Sequence, residues 1–419
     1  MKRAVSSALL CAIMLLSAPD AEGGDFTRDF RDSTLRIDYV LAGAPQGSRP
    51  VLAISGISRY RGWGGRRVNL DTTPLAGNAD VTITDASSGD TLYICPFSTL
   101  FHEWLATAEP AAPAAMEGTA LLPMPRRAVN VCISLRDKYR RPLTSTTISV
   151  DPTDIMIADH TADVPLPHKY IYRGENPDSA KIRVAVLAEG FTASEMPQFD
   201  EYARRAVDAI LEHSPFAERA ESFDFIAVET VSPDSGVAVP QAGEWPHTAF
   251  GSHFNTFGSE RYLTSPRIHA IYDAIAPLKA QHIIILANTA TYGGGGIFNF
   301  YTITAAANEL MPQVTVHEFG HSFAGLADEY FYADDLMDNT YPTDIEPWEP
   351  NITTQTDFGS KWQSLVDEGR AGLIEGGGYR ATGIWRSADN CRMRTNTSGG
   401  FCTVCRNAIE RVIDWQTRP

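Results

Sequence analysis

MPQVTVHEFGHSFAGLADEY, residues 311–330, is the stretch on which the reading of this chain turns. Pro312 suits a first helical turn, Val314, Val316 and Phe319 give apolar cover, and Gly325 is placed to end the helix with positive φ. The pattern predicts a helix over 311–324. His317 and His321 lie four residues apart, so both imidazoles leave one helix face and can meet one Zn²⁺ at about 2.0–2.1 Å. Glu318 sits beside the first histidine, within reach of a water on that metal. The pattern is H-E-x-x-H, in which the metal acidifies water and the carboxylate takes its proton. A charged surface helix can match it by chance, but here a buried-strand pattern precedes it and a carboxylate follows it.

The third ligand is read from what lies beyond the helix. Gly325 is followed by Asp328, a G-x-x-D spacing, whereas Glu329 offers a longer side chain from the next position. Asp328 is preferred because it keeps its offset from the turn glycine, with Glu329 as the alternative. Metzincin-type sites place two residues between the second histidine and the glycine. This chain has three, Ser322, Phe323 and Ala324, so the helix is expected to run one residue longer.

Upstream, KIRVAVLAEG (181–190) reads as a strand, and Thr192 with Glu195 forms a capping box opening a helix through about 213. SFDFIAVETV (222–231) is a second strand, 267–280 a helix, and QHIIILAN (281–288) a strand buried on both faces. This β-α-β-α-β order implies an α/β layer architecture feeding the histidine helix. Gly293 to Gly296 lack the Gly-Lys-Ser/Thr of a phosphate loop. They lead into IFNFYTIT, read as one strand whose bare backbone admits another chain. Either an extended substrate pairs along that edge or the glycines are a turn before a core strand.

From Phe26 to Val150 short strand-like stretches separated by turns fit an antiparallel β-sandwich, with no His/Asp/Glu grouping to suggest chemistry. Expected boundaries are a signal peptide at 1–21, an accessory domain at 22–155 and a catalytic domain at 156–419. Lys2 and Arg3 precede an apolar run from Ala8 to Leu16 and small residues, the layout of a secretory signal cut after Ala21, or after Ala18. The mature chain is therefore expected to be secreted, periplasmic or on the cell surface, without a transmembrane segment. A formal charge of -16 speaks against nucleic acid or anionic membrane as partners. Export permits disulfides: Cys95 and Cys132 can form one bridge, and Cys402-x-x-Cys405 with Cys391 reads as disulfide or buried thiols, because no histidine is at hand to complete a zinc knuckle.

Acidic residues crowd the segment after the helix. A solvated loop is the plain reading; Asp334, Asp335 and Asp338 around a structural Ca²⁺, or a field favouring basic substrates, are the sharper ones. Further on, Met393 follows Cys391 and Arg392 in GGGYRATGIWRSADNCRMR (376–394), where a methionine turn beneath the zinc ligands acts as packing. Tyr330 and Tyr379 are oxyanion candidates by type only, with packing the expected role of each.

LAEGFTASEMPQF (187–199), TYGGGGIFNFYTIT, VHEFGHSFAGLADEY, IEPWEPNIT (345–353), EGGGYRATGIWR, and CRM followed by FCTVC together resemble the M64 peptidases, often called IgA peptidases, over about 165–416. The resemblance implies a secreted zinc metallopeptidase with His317 and His321 as ligands and Glu318 as general base. It implies nothing about immunoglobulin as the substrate of this chain. The expected function is hydrolysis of peptide bonds in protein or peptide substrates. A zinc amidase on cell-wall peptides or glycopeptides, and a surface binding protein that keeps the fold, are the alternatives; an intact Glu318 argues against the binder.

Overall fold

A computed structural model describes residues 24–43, 49–107, 113–332 and 340–418. The signal segment and Asp334, Asp335 and Asp338 lie outside the described residues.

The first half comprises α1 (Phe26–Asp29), β1 (Phe30–Gly43), β2 (Val51–Arg61), β3 (Ala79–Asp85), β4 (Thr91–Phe97), α2 (Leu100–Ala106), β5 (Ala114–Pro125), β6 (Val129–Arg136), β7 (Pro142–Val150) and β8 (Ala158–Asp159). Two four-stranded sheets result, in the orders β5-β1-β2-β8 and β4-β3-β6-β7. Every pairing is antiparallel except that of β2 with β8. Alternation along β6, buried at Val129, Val131, Ile133 and Leu135, sends one face of its sheet into a core shared with Leu35, Ile37 and Tyr39 of β1.

The expected Cys95–Cys132 bridge does not form, and both thiols are free. Cys95 on β4 pairs with Val81 and Cys132 on β6 with Thr82, so β3 runs between them. Val81 and Thr82 face opposite sides of the sheet, and two strand spacings of about 4.8 Å exceed the ~7 Å limit for a bridge.

The second half begins with β9 (His168–Arg173), β10 (Ile182–Glu189), α3 (Met196–Leu211), β11 (Phe223–Val228), α4 (Ile268–Ile275), β12 (His282–Ala287), β13 (Gly294–Ile297), β14 (Tyr301–Ala305) and α5 (Met311–Ala324). It continues through β15 (Ile352–Thr353), α6 (Gln363–Asp367), β16 (Ile374–Gly377), β17 (Arg380–Arg386) and α7 (Thr403–Thr417). Six strands line up as β13-β14-β12-β10-β11-β9, with β14, β12, β10 and β11 parallel and the two edge strands antiparallel.

Burial on both faces explains the uninterrupted apolar runs of the central strands. Ala185, Leu187, Ile283 and Ile285 join the core of the first half, while Val184, Val186, Ile284 and Leu286 meet α3, α5 and α7 on the other side. Helix α4 lies on the first face, where Arg36 of β1 reaches Asp273 Oδ1 at 2.5 Å and the His269 carbonyl at 3.1 Å.

Three local expectations change. The capping box of Thr192 and Glu195 is present, but a 3₁₀ turn precedes α3. Helix α4 stops early because Pro277 lacks an N–H, the chain tightens into a 3₁₀ turn, and Lys279 exits at φ 60°. The stretch after the glycines is a hairpin and not one strand: β13 and β14 are joined through Asn299 at φ 52°.

Candidate metal centre

Helix α5 ends where the sequence predicts, with Gly325 left-handed at φ 58° and its N–H bonded to the His321 carbonyl at 2.9 Å. The turn sends the chain back along the helix. Asn351 holds the returning segment, accepting from Ala327 N–H at 2.7 Å and donating to Ala327 O at 2.8 Å. Asp328 thereby arrives beside the two imidazoles.

The tautomers follow from the hydrogen bonds. His317 Nδ1 donates to the Arg392 carbonyl at 2.9 Å and His321 Nδ1 to the Leu326 carbonyl at 2.5 Å, which leaves both Nε2 lone pairs facing inward. The two Nε2 atoms are 3.1 Å apart, and Asp328 Oδ1 lies 3.0 Å from one and 3.3 Å from the other. Bonds of about 2.0–2.1 Å to a small cation give a tetrahedral edge of about 3.3–3.4 Å. The observed triangle is close to one face of such a tetrahedron. Three electron-rich atoms at this spacing call for positive charge between them, and buried Asp328 Oδ1 has no hydrogen-bond donor of its own. Burial disfavours a charged His321, yet Asp328 and Glu318 outweigh it and push its pKa up to about 9. Asp328 is likewise held well below the usual carboxylate range, because His321 and His317 outweigh its burial. The site attracts cationic charge.

Glu318 lies on the cleft side of α5, its carboxyl raised by burial and only partly relieved by the two histidines. The glycine strand makes room for it. A Cβ on Gly294 would stand 2.9 Å from Glu318 Oε1, and one on Gly296 would stand 2.3 Å from the Glu318 carbonyl. The chain admitted by the bare backbone is thus α5 itself. At Gly294 the outer edge is occupied too: its N–H bonds Arg261 O at 3.3 Å and its carbonyl accepts from Leu263 N–H at 3.2 Å.

Met393 is fully buried on the side of α5 away from the cleft, where its Sδ would lie 2.8 Å from a Cβ added to Gly320. Tyr379 stands at the tip of the β16–β17 hairpin, where Gly378 and Tyr379 have φ of 54° and 64°. Both positive angles are those of a tight two-residue hairpin turn. The turn docks on the segment after α5 through Gly378 N–H to Asp328 O at 2.9 Å and Tyr379 N–H to Tyr330 O at 3.1 Å. The Tyr379 hydroxyl then donates to Asp328 Oδ2 at 2.5 Å. Tyr330 lies nearly parallel to the His317 ring at 6.3 Å, with the Arg261 guanidinium 5.3 Å from its own ring.

Glu329, the alternative ligand, is not at this centre: its Oε1 accepts from Asn351 Nδ2 at 3.0 Å and from Cys405 Sγ at 3.1 Å. Two other residues escaped the sequence reading. Glu103 of α2, in the half that seemed free of chemistry, lines the same cleft of about 610 Å³ and is hydrogen-bonded to the Tyr262 hydroxyl. Burial, reinforced by the Asp328 and Glu318 charges, raises the Glu103 carboxyl to about 7. The pair is 159 residues apart in sequence, and no local signal marks it.

No curated protein matches the chain. The family described as IgA Peptidase M64 matches residues 173–371 and 368–413, and the Peptidase M64 N-terminus matches residues 25–145. Since the two ranges of the peptidase family together cover residues 173–413, more than half the chain, and contain the whole of α5 with Asp328, the protein belongs to the M64 family of metallopeptidases.

Proposed function

We propose that this protein is an exported zinc endopeptidase in which His317, His321 and Asp328 hold the metal and Glu318 is the general base. The observation that supports this most is the triangle of two Nε2 lone pairs and one carboxylate oxygen, with edges of 3.0–3.3 Å. Zinc is the cation suited to two imidazoles and one carboxylate with a position left open to the cleft. When bound, it supplies a Lewis acid that polarises a peptide carbonyl and acidifies water.

The remaining chemistry falls to the chain itself. Glu318 takes a proton from the attacking water and delivers it to the departing amine, a role suited to a carboxyl whose proton affinity burial has raised. The carbonyls of Arg392 and Leu326 keep the imidazoles in the tautomer that presents Nε2. Tyr379 fixes the Asp328 carboxylate, leaving Oδ1 for the metal. The substrate is a protein or peptide lying in the cleft between the two halves of the molecule. Export rests on the amino-terminal signal pattern. Among the described residues no helix is long and apolar enough to cross a membrane.

A cleavage-site profile on a proteome-derived peptide library, with Glu318→Ala as the blank, tests this reading. Internal cuts absent from the blank are expected. Inertness toward every peptide, together with release of amide-linked fragments from cell walls, would transfer the assignment to an amidase.

A further inference from the structure

Glu329, Cys391, Cys402 and Cys405 gather one carboxylate oxygen and three sulfurs within 4.8 Å of one another. Cys391, Cys405 and Glu329 are buried, and Cys402 is half-buried at the start of α7. We propose that these four side chains bind a second divalent cation, a structural zinc, distinct from the centre at His317 and His321.

Spacing is the first support. Cys391 Sγ and Cys405 Sγ are 3.7 Å apart. Zn–S bonds of about 2.3 Å give a tetrahedral S···S edge of about 3.8 Å, whereas a disulfide would need ~2.05 Å. All three thiols are free.

The unsatisfied carboxylate is the second. Glu329 is fully buried and its Oε2 has no hydrogen-bond partner. A carboxylate buried beside three sulfurs with one oxygen unpartnered is costly unless something cationic reaches it. A disulfide cannot relieve this, because it joins two of the three cysteines and leaves one thiol and the carboxylate behind.

Placement is the third. Cys402 caps the fifteen-residue α7 and Cys405 lies in its first turn, so one helix start delivers two of the three sulfurs to the cluster. The Cys402 N–H already points at Cys391 Sγ, 3.3 Å away. Three soft sulfurs with one oxygen select zinc among common divalent ions, and four protein ligands leave no position for substrate, so the role is structural.

The cation would tie together three segments that meet behind the first centre. Glu329 follows Asp328, Cys391 precedes the Arg392 carbonyl that orients His317, and Glu329 N–H bonds Met393 O at 2.9 Å. Filling the cysteine site therefore braces the segment after α5 and the methionine turn against α7.

Metal content of the mature, folded protein purified without chelator provides the test. Two zinc ions per chain are expected in the wild type, one in His317→Ala/His321→Ala, and one in Cys402→Ser/Cys405→Ser. Cobalt loaded into the histidine variant should show thiolate-to-metal charge transfer in the near ultraviolet. If either double variant fails to fold, the same band in cobalt-loaded wild type decides. Zinc-free histidine variant that is folded, absence of the band, or a native disulfide among the three cysteines seen by intact mass and peptide mapping would overturn the proposal. Loss of peptidase activity with the cysteine site still filled would bear on the first centre alone.

Discussion

Asp328 and Glu329 are consecutive, yet their carboxylates enter different clusters: Asp328 Oδ1 lies 3.0 Å from His317 Nε2, while Glu329 Oε1 lies 3.1 Å from Cys405 Sγ. The two side chains leave the segment on opposite sides, one toward α5 and the other toward Cys405 of α7. Zinc reactivation of the chelated enzyme should separate them. Asp328→Ala is expected to raise the zinc concentration for half-maximal activity by more than about 100-fold, beyond the 10–100-fold typical of residues that only support a ligand. Glu329→Gln should shift it less. The opposite order would move the ligand role to Glu329.

Glu318→Ala should keep the metal and the fold while losing turnover. Loss of a general base lowers rate by about 10²–10⁴-fold. Turnover measured alongside bound zinc checks this, and near-normal peptide cleavage would remove Glu318 from the mechanism.

Tyr379→Phe deletes the hydroxyl that donates to Asp328 Oδ2. Zinc affinity should fall by about 10–100-fold, with kcat at saturating zinc much less affected. A large fall in kcat with unchanged zinc affinity would instead assign the hydroxyl to the substrate.

Gly296→Ala places a methyl 2.3 Å from the Glu318 carbonyl and 2.9 Å from His321 Cβ. Backbone must move to admit it, so a loss of about 1–3 kcal/mol in denaturant unfolding is expected, with reduced activity as α5 shifts. Gly399→Ala, which meets nothing within 4 Å, should be close to neutral.

His282, the first residue of β12, is buried against α7, its Nε2 3.1 Å from Gln416 Oε1. Burial lowers its pKa from 6.5 to about 4, with the Gln416 contact opposing weakly. A depressed histidine pKa means that the unfolded chain takes up the proton first. The neutral ring's contribution is therefore complete above pH 6.5 and is lost as pH falls toward 4, by about 3 kcal/mol in all. Unfolding free energies across pH 7 to 4 should decline less steeply in His282→Gln than in wild type. Equal slopes would show that His282 titrates normally.

Within one helix the sequence suffices. The i, i+4 spacing of His317 and His321, the stop at Gly325 and the continuous apolar run of β12 are consequences of helix pitch and two-sided burial, which act over a few residues. Met393 could be marked by its motif, although its seat against Gly320 could not. The β13–β14 turn was concealed because Ile297, Phe298, Phe300 and Tyr301 continue a strand-like alternation, and Asn299, a residue that tolerates positive φ, was the one available sign. Tertiary structure alone decided which neighbouring carboxylate meets the histidines, that Glu103 reaches Tyr262, and that three cysteines converge on Glu329. Each depends on how separate segments pack: Glu329 and Cys405 are 76 residues apart, Glu103 and Tyr262 159. Sequence spacing carries no information about such distances; the burial of α5, α7 and the central sheet around one another sets them.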